Sequence, residues 1–192
     1  MAVVTGADCA WPLHRAIERD YHDAEWGVPE HDDRALFELL CLEGQQAGLS
    51  WYTVLSKRAR YREVFHGFRI DAVAAMEDAD VEAALSDAGL IRHRAKLFAI
   101  RDNARAAQAL IARHGSLDAF VWSFVDGAPR QNRFRQASQI PAQTDASRAL
   151  SRALKREGFR FVGPTTCYAF MQAAGLVNDH LAGCPRQASL GG

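Results

Sequence analysis

Along most of the chain, apolar residues recur every three or four positions, which is the spacing of amphipathic helices. The first clear stretch covers 35–40, where Asp32 or Asp33 can cap the helix, and the pattern resumes at 50–55 after a break at Gly48. Four further helices are predicted at 71–76, 78–85, 94–113 and 117–125, with Gly89 and Gly115 ending the second and third and Ser116 capping the fourth.

The second half of the chain contains one long segment without helical periodicity. Residues 126–144 include Gly127, Pro129 and Pro141, and we predict an extended connecting loop there. Helices are predicted at 145–157, ending at Gly158, and at 165–175, just after Gly163-Pro164. No segment alternates as a strand would, so the predicted fold class is all-α, in a single unit. A chain of 192 residues has room for one substantial core or for two small helical lobes around a cleft.

The composition is that of an ordinary globular protein, with 48% hydrophobic and 24% charged residues. No run of about eighteen apolar residues is present, so a membrane span is not expected. Residues 1–11 lack the basic lead and apolar centre of a secretory signal. We therefore expect a cytoplasmic protein that acts as a monomer.

Charge is distributed unevenly, although the formal net charge is zero. Residues 1–90 contain 17 Asp and Glu against 8 Lys and Arg, whereas residues 91–192 contain 6 against 15, so the halves carry −9 and +9. Such asymmetry can indicate a polyanion-binding face. Two halves that simply complement each other would explain it equally well.

The four cysteines fall into two groups. Cys41 and Cys167 lie in apolar helical stretches and are predicted to be core residues. Cys9 and Cys184 lie near the two ends of the chain, each with a histidine not far away. In a reduced compartment such a set points to metal binding rather than to disulfides.

His22 and His180 would complete a Cys₂His₂ set with Cys9 and Cys184, which suits one structural zinc ion with no open coordination position. His180 and Cys184 are four residues apart, but only folding can bring the other two ligands to them. His14 could equally partner Cys9, and the residues could also be unrelated surface side chains.

A glycine turn separates the last two long predicted helices. The first of them is basic, with Arg148, Arg152, Lys155 and Arg156, and the second begins just after Gly163. The free N–H groups and the dipole of a helix start favour an anion such as a DNA phosphate. The arrangement resembles the helix–hairpin–helix element of DNA repair glycosylases, but an ordinary connection between two helices would look the same.

A carboxylate and several aromatic residues are concentrated in the first third of the chain. Glu43 lies near the end of an apolar helix, and Trp51 follows it across the break. Trp11, Tyr21 and Trp26 belong to the same third. Aromatic faces around one carboxylate form a good receptor for a flat cation. For any single tryptophan, packing in the core is the alternative.

Five segments carry a wider similarity: 21–29 (YHDAEWGVP), 42–51 (LEGQQAGLSW), 91–94 (IRHR), 120–124 (FVWSF) and 175–180 (GLVNDH). In this order and spacing, across residues 9–184, they resemble the 3-methyladenine DNA glycosylase I family of the helix–hairpin–helix superfamily. The resemblance implies an enzyme that excises 3-methyladenine from alkylated double-stranded DNA.

The resemblance also implies roles for particular residues. Glu43 corresponds to the carboxylate that reads the damaged adenine, and Tyr21 and Trp51 correspond to aromatic residues of the base pocket, with Trp11 and Trp26 as further candidates. The zinc ligands of the family fall at Cys9, His22, His180 and Cys184.

DNA-binding roles are implied at two places. Gly48 and Leu49 fall where the family probes the gap left by the extruded nucleotide. Gly163 and Thr165 fall at the hairpin that grips a phosphate.

The implied reaction requires base flipping, because a base inside a duplex cannot be reached. N3-methylation makes adenine cationic and a good leaving group, so recognition matters more than strong acid catalysis. Since the hairpin has no lysine, we expect a monofunctional hydrolase without lyase activity. The superfamily's catalytic Asp position holds Asn178, and whether Asp179, Glu43 or neither activates water stays open, as does excision of 3-methylguanine.

Residues 13–20 depart from the family, being more polar than its Tyr-containing version, and Glu18 stands where a pocket aromatic is expected. This departure favours one alternative, a homologue that detects lesions without excising them. A zinc hydrolase is a third possibility, but four protein ligands leave no open metal position for it.

Overall fold

The computed structural model describes residues 9, 11 and 15–191, and this part of the chain is mostly helical, as the apolar spacing predicts. His14, the alternative partner for Cys9, lies outside the described residues. No helix among them is both long enough and apolar enough to cross a bilayer. The helices are α1 (Ala16–Ala24), α2 (Asp33–Gln46), α3 (Trp51–Leu55), α4 (Arg58–Val64), α5 (Ile70–Ala74), α6 (Asp78–Ala84), α7 (Arg94–His114), α8 (Leu117–Trp122), α9 (Asp145–Arg156), α10 (Pro164–Ala173) and α11 (Pro185–Ser189). Single 3₁₀ turns cover His66–Phe68, Ser123–Val125 and Ala137–Gln139.

The core is built around α2, which is buried on every side from Leu36 to Gln45. α2 packs against α3, α7, α8 and α10, and α7 in turn packs against α5 and α6. A helix that is buried all round brings its polar side chains into the interior as well. Consequently Glu38, Glu43 and Gln45 are buried polar groups within an otherwise apolar helix.

Several helix ends carry local capping signals, and the sequence predicts those at Asp32 and Ser116. The side chains of Asp32, Ser50 and Ser116 accept backbone N–H groups at the starts of α2, α3 and α8, respectively. Gly115 follows α7 with φ +90°, a conformation that favours glycine. These signals are local, because the cap residue and the N–H that it accepts are only three positions apart.

The prediction of a chain without strands was wrong in one detail. Two short strands, β1 (Arg130–Gln131) and β2 (Val177–Asn178), pair in parallel. Two residues are too few to produce an alternating pattern, and their pairing depends on contacts 47 positions apart. The predicted loop at 126–144 is thereby fixed to the segment that leads into His180.

Three helices were not predicted: α1, α4 and α11. Their apolar pattern is weak because few of their residues face the core. Only Tyr21 and His22 are buried in α1, only Tyr61 in α4, and none in α11. α1 matters most, because its two buried residues belong to the candidate site.

Candidate functional site

A cavity of about 330 Å³ lies where α1, α2, α3 and α10 meet. Its lining includes all five residues that the sequence analysis places in a base pocket. They are Trp11, Tyr21, Trp26, Glu43 and Trp51, and the other lining residues are Glu18, Gln46, Ile140, Ala169 and Gln172. A cavity with apolar walls and a few polar groups is the usual form of a small-molecule site.

Glu43 lies in the last turn of α2 and is 6% exposed. Its Oε2 atom has no hydrogen-bond partner among the described residues. Burial raises the pKa of the Glu43 carboxyl to about 8, since a charge is poorly solvated in the interior. Without a ligand at neutral pH the carboxyl is therefore mostly protonated, and a cation beside it would favour the ionised form.

The aromatic rings stand at angles to one another around the cavity. The ring centroids of Tyr21 and Trp51 are 5.3 Å apart at 45°, and those of Trp11 and Trp26 are 5.5 Å apart at 74°. The Tyr21 hydroxyl and the Trp51 Nε1–H are buried without a partner among the described residues. Buried polar atoms are rarely left unpaired, because each costs about 1–3 kcal/mol. Three such atoms around one cavity therefore indicate a ligand site.

A second cavity of about 210 Å³ adjoins the first and shares Glu43, Gln46 and Ala169 with it. Its other lining residues are Ala47, Gly48, Leu49, Thr165 and Thr166. Three of the four predicted DNA-binding residues thus border one cleft. Gly163 does not line it and instead precedes Pro164 as the N-cap of α10.

The segment after α2 presents an apolar side chain to solvent. Leu49 is 41% exposed, which is unusual for leucine in this structure. Gly48, with φ +77°, makes the turn, and a Cβ there would meet nothing within 4 Å. Conformation rather than crowding therefore favours glycine at this position.

Cys9, His22, His180 and Cys184 are buried, and their ligand atoms all lie within 4.8 Å of one another. His22 Nε2 and His180 Nδ1 are 3.1 Å apart, and the Cys184 sulfur lies 3.7 Å from the former and 3.6 Å from the latter. A tetrahedral ion with nitrogen bonds of about 2.0 Å and sulfur bonds of about 2.3 Å would hold its ligands about 3.3–3.8 Å apart. The four residues could therefore hold a metal ion.

The outer nitrogens of both histidines are also engaged. His22 Nδ1 lies 2.7 Å from Asp23 Oδ1, and His180 Nε2 lies 3.0 Å from the Trp26 carbonyl oxygen. Partners of this kind fix the ring orientation and leave the other nitrogen free for a metal. Burial lowers the pKa of His180 to about 4, so its ring is neutral at neutral pH, the form in which imidazole binds a metal.

The Cys₂His₂ cluster, formed by Cys9, His22, His180 and Cys184, shares structural elements with the cavity. α1 supplies Tyr21 to the cavity and the next residue, His22, to the cluster. Trp26 lines the cavity with its ring and accepts from His180 with its carbonyl. Whatever fixes the cluster therefore also fixes one wall of the cavity.

Asp179, the alternative candidate for activating water, is buried and fully engaged. Its oxygens accept from Asn132 Nδ2 at 2.6 Å, from the Tyr168 hydroxyl at 2.6 Å and from Gln172 Nε2 at 2.8 Å. Gln172 lines the cavity, so Asp179 orients a cavity residue. Sequence reasoning missed Gln172, for which no local signal exists, and Gln46, which lay inside the motif at 42–51.

Comparison with known proteins adds to this geometry. The chain matches the methyladenine glycosylase family model over residues 11–187. It is 54% identical over 176 residues to DNA-3-methyladenine glycosylase 1 of Escherichia coli strain K12, an alignment that covers 92% of this chain and 94% of that protein.

Solved structures agree with this similarity. A crystal structure of 3-methyladenine DNA glycosylase I, 54% identical, matches with a TM-score of 0.91 and covers 93% of this chain and 98% of the other. A variant of 3-methyladenine DNA glycosylase I in complex with 3-methyladenine, 38% identical, also has a TM-score of 0.91, with 94% and 97% coverage.

Proposed function

Because this chain belongs to the methyladenine glycosylase family, we propose that it is a DNA repair hydrolase that removes 3-methyladenine from alkylated double-stranded DNA. One structural observation supports this activity in addition to family membership. Glu43, Tyr21 and Trp51 line the same aromatic cavity, and each has a buried polar atom without a hydrogen-bond partner among the described residues. A flat base that carries both donors and acceptors would pair with these atoms, since the Trp51 N–H can only donate and the Glu43 carboxylate can only accept.

In the proposed complex the damaged nucleotide is flipped out of the duplex and its base enters this cavity. The rings of Tyr21 and Trp51 contact the cationic base, and Glu43 accepts hydrogen bonds from its edge in the ionised form that the cation favours. Neutral adenine gains neither the cation–π nor the charge contribution. The enzyme therefore selects the lesion by differential binding.

Hydrolysis breaks the bond between the sugar C1′ and the base nitrogen. The bonding electrons pass to the base and cancel its positive charge, while a water oxygen adds to C1′ and releases one proton. We propose that no side chain acts as a dedicated strong base, because both oxygens of Asp179 already accept from protein donors. The remaining contribution is positioning of the base, which already leaves readily.

DNA contacts are proposed at the cleft beside the cavity and at the turn between α9 and α10. Leu49, carried by the turn at Gly48, enters the gap left by the flipped nucleotide. The turn at 157–163 acts as the hairpin of a helix–hairpin–helix element, with Gly163 and Thr165 near one phosphate. Since 157–163 contains no lysine, Schiff-base lyase activity is not expected.

We propose that the Cys₂His₂ cluster holds one structural zinc ion. The donor types, the 3.1–3.8 Å separations of four of the six ligand pairs and the occupied outer nitrogens of both histidines all support a closed tetrahedral site. When bound, zinc would supply four bonds that join the two ends of the chain and no reactive position. Metal analysis of the purified protein should find about one zinc per chain, and a native protein without metal would contradict this.

A base-release assay tests the proposed activity. Methylated duplex DNA is incubated with the protein, and the released bases are separated by chromatography. Wild type should release 3-methyladenine, and Glu43→Gln should release it at least about tenfold more slowly because a hydrogen bond to a charged group is lost. Glu63→Gln, an exposed glutamate of α4, serves as the matched control.

The same assay separates the enzyme from a lesion-binding protein. DNA affinity, measured by fluorescence anisotropy, should be retained in Glu43→Gln. Binding of methylated DNA by wild type without any release would show a protein that detects lesions only. Unchanged single-turnover release in Glu43→Gln would exclude the role of Glu43.

A further inference from the structure

The cavity has a second carboxylate that the proposed reaction does not use. Glu18 lines it together with Glu43, although the two belong to different helices. Glu18 lies three residues before Tyr21 on α1, so both side chains lie on the same face of that helix. Unlike Glu43, Glu18 is only partly buried, which places it nearer the solvent side of the cavity.

No described residue pairs with the Glu18 side chain. It forms no hydrogen bond or ion pair within the described part of the chain. Arg15, one helical turn earlier, instead places its guanidinium 3.7 Å from the centroid of the Tyr52 ring. The cavity lining includes neither lysine nor arginine among the described residues. A negative charge at the cavity entrance therefore has no opposing charge in that lining.

Glu18 also differs from Glu43 in exposure, since Glu18 is partly buried and Glu43 is buried. Burial raises the pKa of Glu43 to about 8, so Glu43 is mostly neutral before a ligand is present. Because Glu18 lies nearer the solvent, an incoming cation meets the Glu18 side chain before it reaches Glu43.

We propose that Glu18 is a specificity-determining residue that raises the preference of the cavity for positively charged bases over neutral ones. The inference rests on the proposed function and deepens it by naming the property that is read, which is the positive charge of the base. An aromatic side chain at this position would add contact area for both kinds of base. A carboxylate adds attraction for the cation alone.

The expected size of the effect follows from Coulomb's law. Two unit charges about 6 Å apart in partly hydrated surroundings attract strongly enough to change a dissociation constant about three- to tenfold. Removing the charge should therefore cost that factor for a cationic ligand. For a neutral ligand of the same shape the change should be less than about twofold.

The test compares two ligands with the same purine frame. One is 3,9-dimethyladeninium, which is permanently charged, and the other is neutral 3-methyladenine at pH 8. Their dissociation constants are measured by quenching of tryptophan fluorescence. The proteins are the wild type, Glu18→Gln and Glu18→Lys, with Asp20→Asn as a matched control that removes one charge from α1 outside the cavity lining.

Glu18→Gln should weaken binding of the cation about three- to tenfold and leave binding of 3-methyladenine nearly unchanged, and Glu18→Lys should weaken cation binding further. Asp20→Asn should change neither. Equal changes for both ligands, or no change for either, would overturn the inference while base release by the wild type stands. If the wild type neither releases 3-methyladenine nor binds the cation, the proposed function itself fails.

Discussion

Replacing Glu43 by glutamine should stabilise the protein increasingly as the pH rises. The carboxyl is buried with one oxygen unpartnered, and its pKa is raised from 4.5 to about 8. Between these two values the folded state holds a proton that the unfolded chain has released. The free energy of unfolding of the wild type therefore falls as the pH rises through this window.

The pH dependence of the difference in unfolding free energy between variant and wild type is more informative than its value at one pH. Each pH unit between the two pKa values is worth about 1.4 kcal/mol, so from pH 5.5 to 7.5 the variant should gain about 3 kcal/mol relative to the wild type. The amide that replaces the carboxyl also needs hydrogen-bond partners, but that cost does not depend on pH. That cost changes the difference in unfolding free energy by the same amount at every pH and leaves its slope against pH unchanged.

The measurement is urea denaturation followed by circular dichroism at half-unit steps of pH, with zinc present throughout. For a chain of this length the gain corresponds to roughly 6–12 °C in melting temperature across the window. A difference between variant and wild type that stays constant from pH 5.5 to 7.5 would refute the reasoning, because it would mean that Glu43 titrates normally in the fold.

Glu38 provides the contrast on the same helix. It is 1% exposed, but it accepts from Arg58 Nε at 2.5 Å and from Arg62 Nε at 2.9 Å. Glu38→Gln leaves two arginines without their shared partner and should lose about 2–4 kcal/mol. Glu38→Gln is therefore expected to lose stability, whereas the stability of Glu43→Gln relative to the wild type rises with pH, and a gain of stability in Glu38→Gln would contradict this.

Three further predictions concern the elements around the cavity. Lys96 Nζ donates to the carbonyls of Gln45 and Ala47 at the end of α2. Lys96→Met should therefore lower the free energy of unfolding by about 2 kcal/mol and slow base release. Release at the wild-type rate would show that these two hydrogen bonds do not position the end of α2 for the reaction. Leu49→Ala should weaken binding to DNA with a flipped nucleotide and leave the melting temperature within about 2 °C, because the side chain is 41% exposed; a large loss of stability would place Leu49 in the core instead. Cys184→Ala should reduce bound zinc and weaken 3-methyladenine binding together, as measured by metal analysis and fluorescence quenching, and normal base binding in the metal-free variant would separate the two sites.

Local signals explain what could be predicted from the sequence. Asp32 and Ser116 act within three residues of themselves, so the helix starts that they cap could be located. α1 could not, because its buried residues, Tyr21 and His22, face a cavity and a ligand cluster rather than an apolar core. The apolar spacing that marks a core helix is therefore missing from a helix that contributes both to the cavity and to the Cys₂His₂ cluster.

Contacts between distant segments explain what was missed. Asp179 holds the amide of the cavity residue Gln172, and that hydrogen bond depends on the turn between α10 and β2. The residues of the Cys₂His₂ cluster were identifiable by type, but His22 and His180 are 158 positions apart and meet only in the folded chain. Residue chemistry could be read from the sequence, whereas proximity could not.

The different partners of Asp179 and Glu43 show how the site divides structural and recognition roles. Three donors satisfy Asp179 in the absence of ligand, so it stabilises the ligand-free fold and has little more to offer a substrate. Glu43 keeps Oε2 unpartnered and therefore destabilises the ligand-free fold. That cost is recovered only when a ligand supplies both a hydrogen-bond donor and a positive charge, and a neutral base cannot supply the charge. A reaction whose leaving group is already weakly held needs this kind of discrimination more than it needs a strong base.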